Sequence, residues 1–462
     1  MNNCKRNGKQ RMGDRFIGFL ICCSFIFCLL PGHIMSVYAA EQNKVEVSTK
    51  SLKKAGMQVI ITEQKTPCDN SIYLKTYNVY TRQYYTILSY LKRLEAAGGG
   101  TLIFEPGTYT ITNTLYVPSN VTIIFKDGVV IRKGTNTGTH KLSASKSIFQ
   151  LAAPSMAKVE GAYSEYNGVH DVSFIGEGTV LIDMHYDNGA LGIMMGHNKN
   201  VIIKGITFQN MYGGHFIEMD ASQNVVVEDC VFQNHKDSPN NNKEAINLDT
   251  PDETTNGFHA TWTSYDKTPN ENVLIQNCVF RDLERAIGTH KYSEGKLHKN
   301  VQILNNKIYR CDKDAIRVMN WENAVMKGNI IDTVTDGTDK AYRAILVSGI
   351  KHMQLTENMF YNVARPVQIF PWKNSGPGSQ YDIIYDTLSS KEIELLKNNV
   401  LIGGEEDFIR WNKTYDVFDK DTVKIYLNGK KQKATTVVNV AEEIVPEEPT
   451  EIVYRKINQY KK

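Results

Sequence analysis

Cysteine is scarce in this chain, and its spacing fits neither a disulfide framework nor a metal site. There are eight cysteines in 462 residues, four of them before residue 40, and no C-x-x-C pair occurs. Small disulfide-dependent domains and zinc sites of the C-x-x-C type are therefore excluded.

A strong excess of one charge is also missing. The formal net charge is +3, and it falls to about −1 if residues 1–40 are removed, because that segment holds five Lys or Arg residues and one Asp. Nucleic-acid binders show a basic patch or stripe, which this chain does not have. We therefore expect no nucleic-acid partner.

Long apolar runs are limited to one segment, Phe16 to Leu30, which has 15 residues and follows five basic residues. It is too short for a confident membrane span, and small residues near Ala39 suit cleavage. We predict a signal peptide over 1–39 and a secreted protein with no stable membrane anchor. A retained anchor is the alternative. The residues before its cysteines do not suit lipid attachment.

The middle of the chain repeats with a period of 24 residues. Asn200 and Asn224 each open a short apolar run, and a phenylalanine, Phe208 or Phe232, follows each Asn after eight residues. Several short β-branched runs in each such period are typical of a parallel β-helix. We predict that a helix, stopped by the glycines at 98–100, precedes the coils.

The helix at 81–97, then GGGTLIFEPGTYTI and VPSNVTIIFKDG, are similar to the amino-terminal cap and first coils of the pectin-lyase-like superfamily. That group includes polygalacturonases, pectate lyases and phage tailspikes. The resemblance spans roughly residues 80–412 and implies an all-β fold, a right-handed, single-stranded parallel β-helix with an N-terminal capping helix. The predicted divisions are 1–39, a signal peptide; 40–100, an amino-terminal region with the capping helix; 101–412, the β-helix; and 413–462, a cap with a strand at 423–427 and a mobile tail. An inserted loop is predicted at 135–167.

The coils can be aligned with one another by an apolar residue, here called the anchor, which in most coils lies seven residues before the residue that opens the next coil. Because strand residues alternate between faces, each anchor and the residue two after it should point inward. A second column lies six residues after the residues that open the coils. Its stacked asparagines resemble the asparagine ladder of pectate-lyase-type helices. Cys230 and Cys278 fall in the same column and are interpreted as structural. The anchors are Ile193, Ile217, Ile246, Ile287, Ile316, Ile345, Val367 and Ile409.

The outward columns of the same register carry acids that the repeat does not need. Glu218, Asp220 and Asp249 should lie close together, because neighbouring coils stack about 4.8 Å apart. His290 and Arg317 follow on the next coils. Crowded carboxylates repel one another, so they indicate cation binding, a shared proton or acid–base chemistry.

Two insertions leave the same strand end and should form the walls of a groove. One follows Asp249 and holds side chains suited to sugar rings; the other follows His290 and begins at Lys291. Function concentrates on loops held by a rigid scaffold. The predicted substrate-binding residues are Asn247, His259, Trp262, Tyr265 and His215.

Two reactions fit these residues. In a lyase, Glu218, Asp220 and Asp249 would hold Ca²⁺, and Arg317, Lys291 or His290 would remove a proton; this arrangement is similar to that of pectate lyases. In a glycoside hydrolase, paired carboxylates would act as acid and base or nucleophile, and Asn247-Leu248-Asp249 resembles the Asn-Thr-Asp of polygalacturonases.

The prediction is thus a secreted, monomeric enzyme that cleaves an acidic, pectin-like polysaccharide, with calcium and without an organic cofactor. The lyase is slightly favoured over the hydrolase. A non-catalytic glycan-binding β-helix is the alternative from a different functional class.

Overall fold

The computed structural model describes residues 56–237, 243–338, 342–369, 388–402, 407–412 and 422–426. The predicted signal peptide lies outside these residues, as does most of the predicted cap and tail at 413–462. No helix in the described ranges is long and apolar enough to cross a membrane.

The described chain winds into coils with three parallel faces. The first face comprises β4 (Leu115–Tyr116), β7 (Ser147–Gln150), β10 (Leu191–Gly196), β13 (His215–Asp220), β16 (Glu244–Asp249), β19 (Arg285–Gly288), β22 (Ile316–Lys327), β24 (Arg343–Thr356), β26 (Arg365–Ile369) and β28 (Asp407–Asn412). The second comprises β1 (Met57–Ile61), β2 (Gly100–Phe104), β5 (Val121–Phe125), β8 (His170–Gly176), β11 (Lys199–Lys204), β14 (Gln223–Glu228), β17 (Glu271–Gln276) and β20 (His298–Leu304). The third comprises β3 (Gly107–Ile111), β6 (Val129–Lys133), β9 (Leu181–Asp183), β12 (Thr207–Met211), β15 (Val231–His235), β18 (Val279–Leu283), β21 (Lys307–Cys311), β23 (Ile330–Val334), β25 (Met359–Tyr361) and β27 (Val400–Ile402).

Long strands join the first two faces late in the coil stack. Strand β22 pairs with β19 on the first face and with β20 on the second. Strand β24 pairs in parallel with β22 from one end of β22 to the other. A final strand, β29 (Thr422–Tyr426), adds to β28 in antiparallel orientation. The strand predicted at 423–427 is therefore confirmed as far as Tyr426.

The predicted register is confirmed along the first face. All eight anchors from Ile193 to Ile409 pair directly with the anchor of the neighbouring coil. The anchors from Ile193 to Val367 are buried, and so are the residues two places after them, such as Met219 and Leu248. On the third face Phe208, Phe232 and Phe280 stack with centroids 5.0 and 4.8 Å apart.

A buried asparagine ladder runs along one turn of the coil. Asn306, Asn329, Asn358 and Asn399 form a continuous chain. From Asn329 onwards, each side-chain oxygen accepts from the backbone and side-chain N–H of the asparagine before it, at 2.9 to 3.1 Å. These interactions satisfy backbone groups that the turn would otherwise leave unpaired. Cys278 extends the column by donating its backbone N–H to Asn306, which confirms its structural role.

A second asparagine ladder explains why Asn opens the coils. Asn200, Asn224, Asn272 and Asn300 have φ between 55° and 57°, a left-handed conformation that asparagine tolerates better than most residues. Each donates its side-chain amide to the side-chain oxygen of the preceding member, or to Asp171 at the end, at 2.9 to 3.0 Å.

The amino-terminal end is capped as predicted by a helix, α1 (Arg82–Ala96), which buries Ile87, Leu91 and Leu94. A short 3₁₀ turn (Asn70–Tyr73) precedes it, and α2 (Ser390–Leu395) with a second 3₁₀ turn (Leu396–Asn398) lies near the other end. Two details differ from the prediction. Strand β1 precedes the helix and pairs with β2, and the predicted loop at 135–167 contains β7, which pairs with β10. The alternating pattern is too short in both segments to be recognised.

The third face carries a charged contact between coils. Nδ1 of His235 donates to the carbonyl of Asp282 at 3.0 Å, and Nε2 lies 2.9 Å from a carboxylate oxygen of Asp312 and 3.0 Å from one of Asp237. Burial alone would lower the pKa of His235, but the hydrogen bond to Asp312 and the neighbouring charges raise it to about 9.

We predict that replacing Asn329 with Ala lowers the free energy of unfolding by about 2 to 3 kcal/mol, because neighbouring buried polar groups lose their partners. Asn188→Ala, in an exposed turn, serves as the control and should change it by less than about 0.5 kcal/mol. Urea unfolding followed by circular dichroism measures both; equal effects would contradict a stabilising ladder.

We also predict a pH window for the His235 contact. Its folded pKa lies above the ordinary value of 6.5, so its stabilisation is complete below about pH 6.5 and is lost as the pH rises through about 9. The native chain should therefore lose roughly 1 to 2 kcal/mol more across this window than His235→Ala. Parallel losses in the two proteins would show that the contact does not contribute.

Candidate functional site

The first face brings the predicted acids together. Strand pairing aligns Glu218 with Asn247, then Gly288 and Arg317, in one column. Asp220 aligns with Asp249 in the adjacent column. His290 lies two residues after the end of β19, and its ring contacts the side chain of Asn247 on this face.

These acids are not on an open surface. Asp220 and Asp249 are completely buried, and Glu218 is 6% exposed. The segment after Asp249 covers them and is itself held by the segment at 151–167, through backbone hydrogen bonds between Tyr163 and Trp262 and between Ser264 and Tyr163. The segment is therefore fixed over the acids, and its residues 256–259 line one cleft together with Lys291 of the other insertion, which agrees with the predicted walls of a groove.

The prediction that Trp262 stacks on a sugar is wrong. Trp262 is 1% exposed, and its Nε1 donates to the side chain of Gln150 at 3.0 Å. It packs edge-on against Phe258 and Tyr163. Burial of a large aromatic ring is more favourable than its exposure to water. Trp262 therefore stabilises the position of the covering segment.

A cleft of about 250 Å³ opens beside the covered acids. Of the predicted residues it brings together His215, Glu218, His259, His290 and Lys291. Asp220, Asp249, Asn247, Tyr265 and Arg317 do not line it. The full lining comprises Gly189, Leu191, Met194, Gly213, Gly214, His215, Glu218, Lys243, Asn256, Gly257, Phe258, His259, His290 and Lys291.

The acids differ in their electrostatic environment. Burial, followed by the charge of Asp249, raises the pKa of Glu218 to about 7. Burial, Glu218 and Asp249 hold the pKa of Asp220 well above its usual range. Both side chains are thus easily protonated, which agrees with the crowding expected from the sequence.

Asp249 has a different role from the other two acids. One of its oxygens accepts the backbone N–H groups of His290 and Lys291 at 3.1 and 3.0 Å. A carboxylate that accepts two backbone donors fixes the loop that carries them. Asp249 therefore positions His290 and Lys291 at the cleft.

His215 and His290 lie at the floor of the cleft with their rings stacked, centroids 5.6 Å apart. Nδ1 of His215 lies 2.6 Å from the carbonyl of Glu244, and its Nε2 lies 3.4 Å from Glu218. Burial, Lys243 and His290 keep the pKa of His215 well below its usual range. His215 is therefore neutral.

Glu244 is a site residue that the sequence reading missed. It is completely buried and lies 3.2 Å from Nδ1 of His290, 3.9 Å from Arg285 and 4.0 Å from Arg317. Burial would raise its pKa, but His290, Arg317 and Arg285 hold that pKa below its usual range. For Arg317, burial and then Arg285 lower the pKa to about 10.

Glu244 belongs to a column that lies two residues before each anchor. Arg285 pairs with it in the strand register, and Asp314 bridges Arg285 and Arg343 at 2.9 and 2.8 Å. We name Glu244, Arg285, Asp314 and Arg343 the ion column. Its signal was present in the sequence, since charged residues recur at that offset from Ile246, Ile287, Ile316 and Ile345.

One group of possible metal ligands occurs in the cleft. A nitrogen of His215, an oxygen of Glu244 and a nitrogen of His290 all lie within 4.8 Å of one another. Within the described ranges, Glu218, Asp220 and Asp249 do not converge to that distance as a set of three. The calcium site stays a prediction, without a preformed ligand set.

No protein-family model matches the chain. The chain is 27% identical to plasmin and fibronectin-binding protein A of Streptococcus pneumoniae, over 59% of this chain and 42% of that protein. It therefore spans less than half the length of that relative.

Two solved structures of PfbA, a surface adhesin of Streptococcus pneumoniae, are similar to this chain. One has a TM-score of 0.50 and covers 72% of this chain and 84% of its own; the other has 0.51 and covers 75% and 96%, both at 20% identity. Identity this low establishes the backbone architecture alone. Together with the three-faced coil and its helical cap, it identifies the fold as a right-handed parallel β-helix, as predicted.

Proposed function

We propose that this protein is an extracellular β-helix that binds an acidic glycan in the cleft between His215 and Lys291. The observation that supports this proposal is the set of cationic and polar groups in the lining. Lys243 and Lys291 meet at one opening with three histidines, His215, His259 and His290, and one acid, Glu218. Such groups suit the carboxylates of a uronate-containing chain.

The size of the cleft supports binding to part of a polymer. About 250 Å³ is less than the roughly 300–1,000 Å³ of pockets that enclose a drug-sized ligand. One sugar unit would enter while the rest of the chain follows the surface. Exposed His259 lies at the entrance.

The extracellular address is supported by two observations. The sequence begins with the features of a signal peptide, and its relative carries a name that refers to binding plasmin and fibronectin, with PfbA described as a surface adhesin. Binding of plasmin and fibronectin belongs to that relative. For this chain, the charged cleft favours a glycan.

The binding proposal predicts a specific loss at the cleft. Lys291→Ala should weaken binding to acidic polysaccharides by about tenfold or more, because a charged hydrogen bond contributes about 1.5 to 3 kcal/mol. Lys296→Ala removes an exposed lysine from the same insertion, outside the cleft lining, and should not weaken it. Calorimetry against acidic and neutral polysaccharides measures both; equal effects, or a preference for neutral chains, would sink the proposal.

Cleavage of the bound glycan is a second candidate, favoured by the position of Glu218. In the described part of the chain, Glu218 is the member of the acidic trio that lines the cleft, and it lies beside His215. A carboxyl group there could protonate a leaving glycosidic oxygen. The paired-carboxylate reaction is less favoured, because Asp220 and Asp249 lie beneath the cover.

Cleavage predicts that Glu218→Gln lowers turnover by about 100-fold or more while glycan binding is retained. The control is Glu294→Gln, at an exposed loop position. New reducing ends report any cleavage, and the ultraviolet absorbance of an unsaturated uronate distinguishes elimination from hydrolysis. If the native protein binds glycans but releases no product, cleavage is rejected and binding stands.

A further inference from the structure

The two histidines of the cleft floor each direct one ring nitrogen toward oxygen atoms or the cleft. Nδ1 of His215 donates to the carbonyl of Glu244, so its Nε2 keeps a lone pair. Nδ1 of His290 lies 3.0 Å from the side-chain oxygen of Asn247, 3.2 Å from a carboxylate oxygen of Glu244 and 3.6 Å from one of Asp249. A ring nitrogen beside three oxygens carries either a proton or a cation.

This arrangement is the one that metal-binding histidines usually have. A ligating imidazole typically donates its other ring N–H to a carbonyl or carboxylate, and that bond fixes the orientation of the ring. The ring of His215 is fixed in this way before any ligand arrives, and the stacked ring of His290 presents Nδ1 to the carboxylate of Glu244.

The third member of the group is a buried carboxylate without a well-aligned hydrogen bond. Glu244 is completely buried, one of its oxygens lies 3.2 Å from Nδ1 of His290, and neither oxygen has a hydrogen bond of good geometry to the described residues. Arg285 and Arg317 lie 3.9 and 4.0 Å away, beyond hydrogen-bond distance. A buried carboxylate in this state is costly unless a cation or water completes its surroundings.

A further contact also requires a proton or a cation. Nε2 of His215, which bears the lone pair, lies 3.4 Å from a carboxylate oxygen of Glu218. Two acceptors do not attract each other at this distance without a positive charge or a hydrogen between them.

We propose that His215, His290 and Glu244 bind a divalent transition-metal-type cation, with Zn²⁺ as the representative ion. Two imidazoles and one carboxylate suit this class, whereas Ca²⁺ prefers six to eight oxygen ligands. The cleft leaves room for a water or a substrate oxygen in an open position.

The surrounding charges permit a dication. Asp249 lies 3.6 Å from Nδ1 of His290 and offsets part of the positive charge of Lys243, Lys291 and Arg317, and the charge of Arg285 is paired with Asp314. This inference does not depend on glycan binding, because it stands on the ligand geometry alone.

The test uses the full secreted chain, freed of metal by a chelator and then titrated with Zn²⁺ by calorimetry and with Co²⁺ by visible absorption. One saturable site per chain is expected, with Co²⁺ bands that indicate nitrogen ligands. His290→Ala should weaken Zn²⁺ binding by at least about tenfold. Circular dichroism establishes that the variant is folded, and His290→Asn provides a second, more conservative removal of the ligand.

His235→Ala is the matched control, because His235 also lies beside two carboxylates but belongs to the third face. Binding that survives in His235→Ala and is lost in both folded His290 variants supports the assignment. No saturable binding, or binding lost in His235→Ala and retained in the His290 variants, overturns it. Tighter binding of Ca²⁺ than of Zn²⁺ also overturns it.

Discussion

The backbone hydrogen bonds between successive coils are the constraint on which the rest of this structure depends. They hold each coil about 4.8 Å above the previous one, in a register in which isoleucine stacks on isoleucine and phenylalanine on phenylalanine. The same register stacks polar residues that the interior cannot accept. The polar groups of each column must therefore form hydrogen bonds with one another along the coil axis. The two asparagine ladders do so, because a side-chain amide both donates and accepts.

The candidate site arises where stacking places charge on charge. Glu218, Asp220 and Asp249 cannot alternate with opposite charges, because the register puts acids on neighbouring coils. The cover anchored by Trp262 then removes them from water and makes their proximity more costly. The ion column shows the contrasting solution a few residues away, where opposite charges alternate. The same coil register thus produces a stable ion column at one position of the strand and a cluster of easily protonated acids a few residues further along.

The sequence predicted the repeating parts of this architecture well. Period, anchors, ladder and capping helix all follow from local spacing, which a regular coil preserves. The acids were placed in the correct columns for the same reason. Burial was not predicted, because it depends on how the segments at 151–167 and 250–269 fold over the face, and neither segment repeats. Trp262 was assigned to the groove on its residue type, although an aromatic ring in an insertion can equally anchor it. Glu244 was not predicted, because it lies two residues before its anchor, whereas the predicted outward columns lie after each anchor.

The ion column has a consequence for how the coil number can change. Its signs alternate from Glu244 to Arg285, Asp314 and Arg343, one residue per coil. Removing one coil from inside this run would bring two like charges into direct contact without water. Removing two adjacent coils would restore the alternation. Growth or shortening of the coils between Glu244 and Arg343 is therefore compatible with their buried electrostatics in steps of two coils. The parity ends at the partly exposed Arg365, which pairs with Arg343, and neither the apolar interior nor the asparagine ladders impose it.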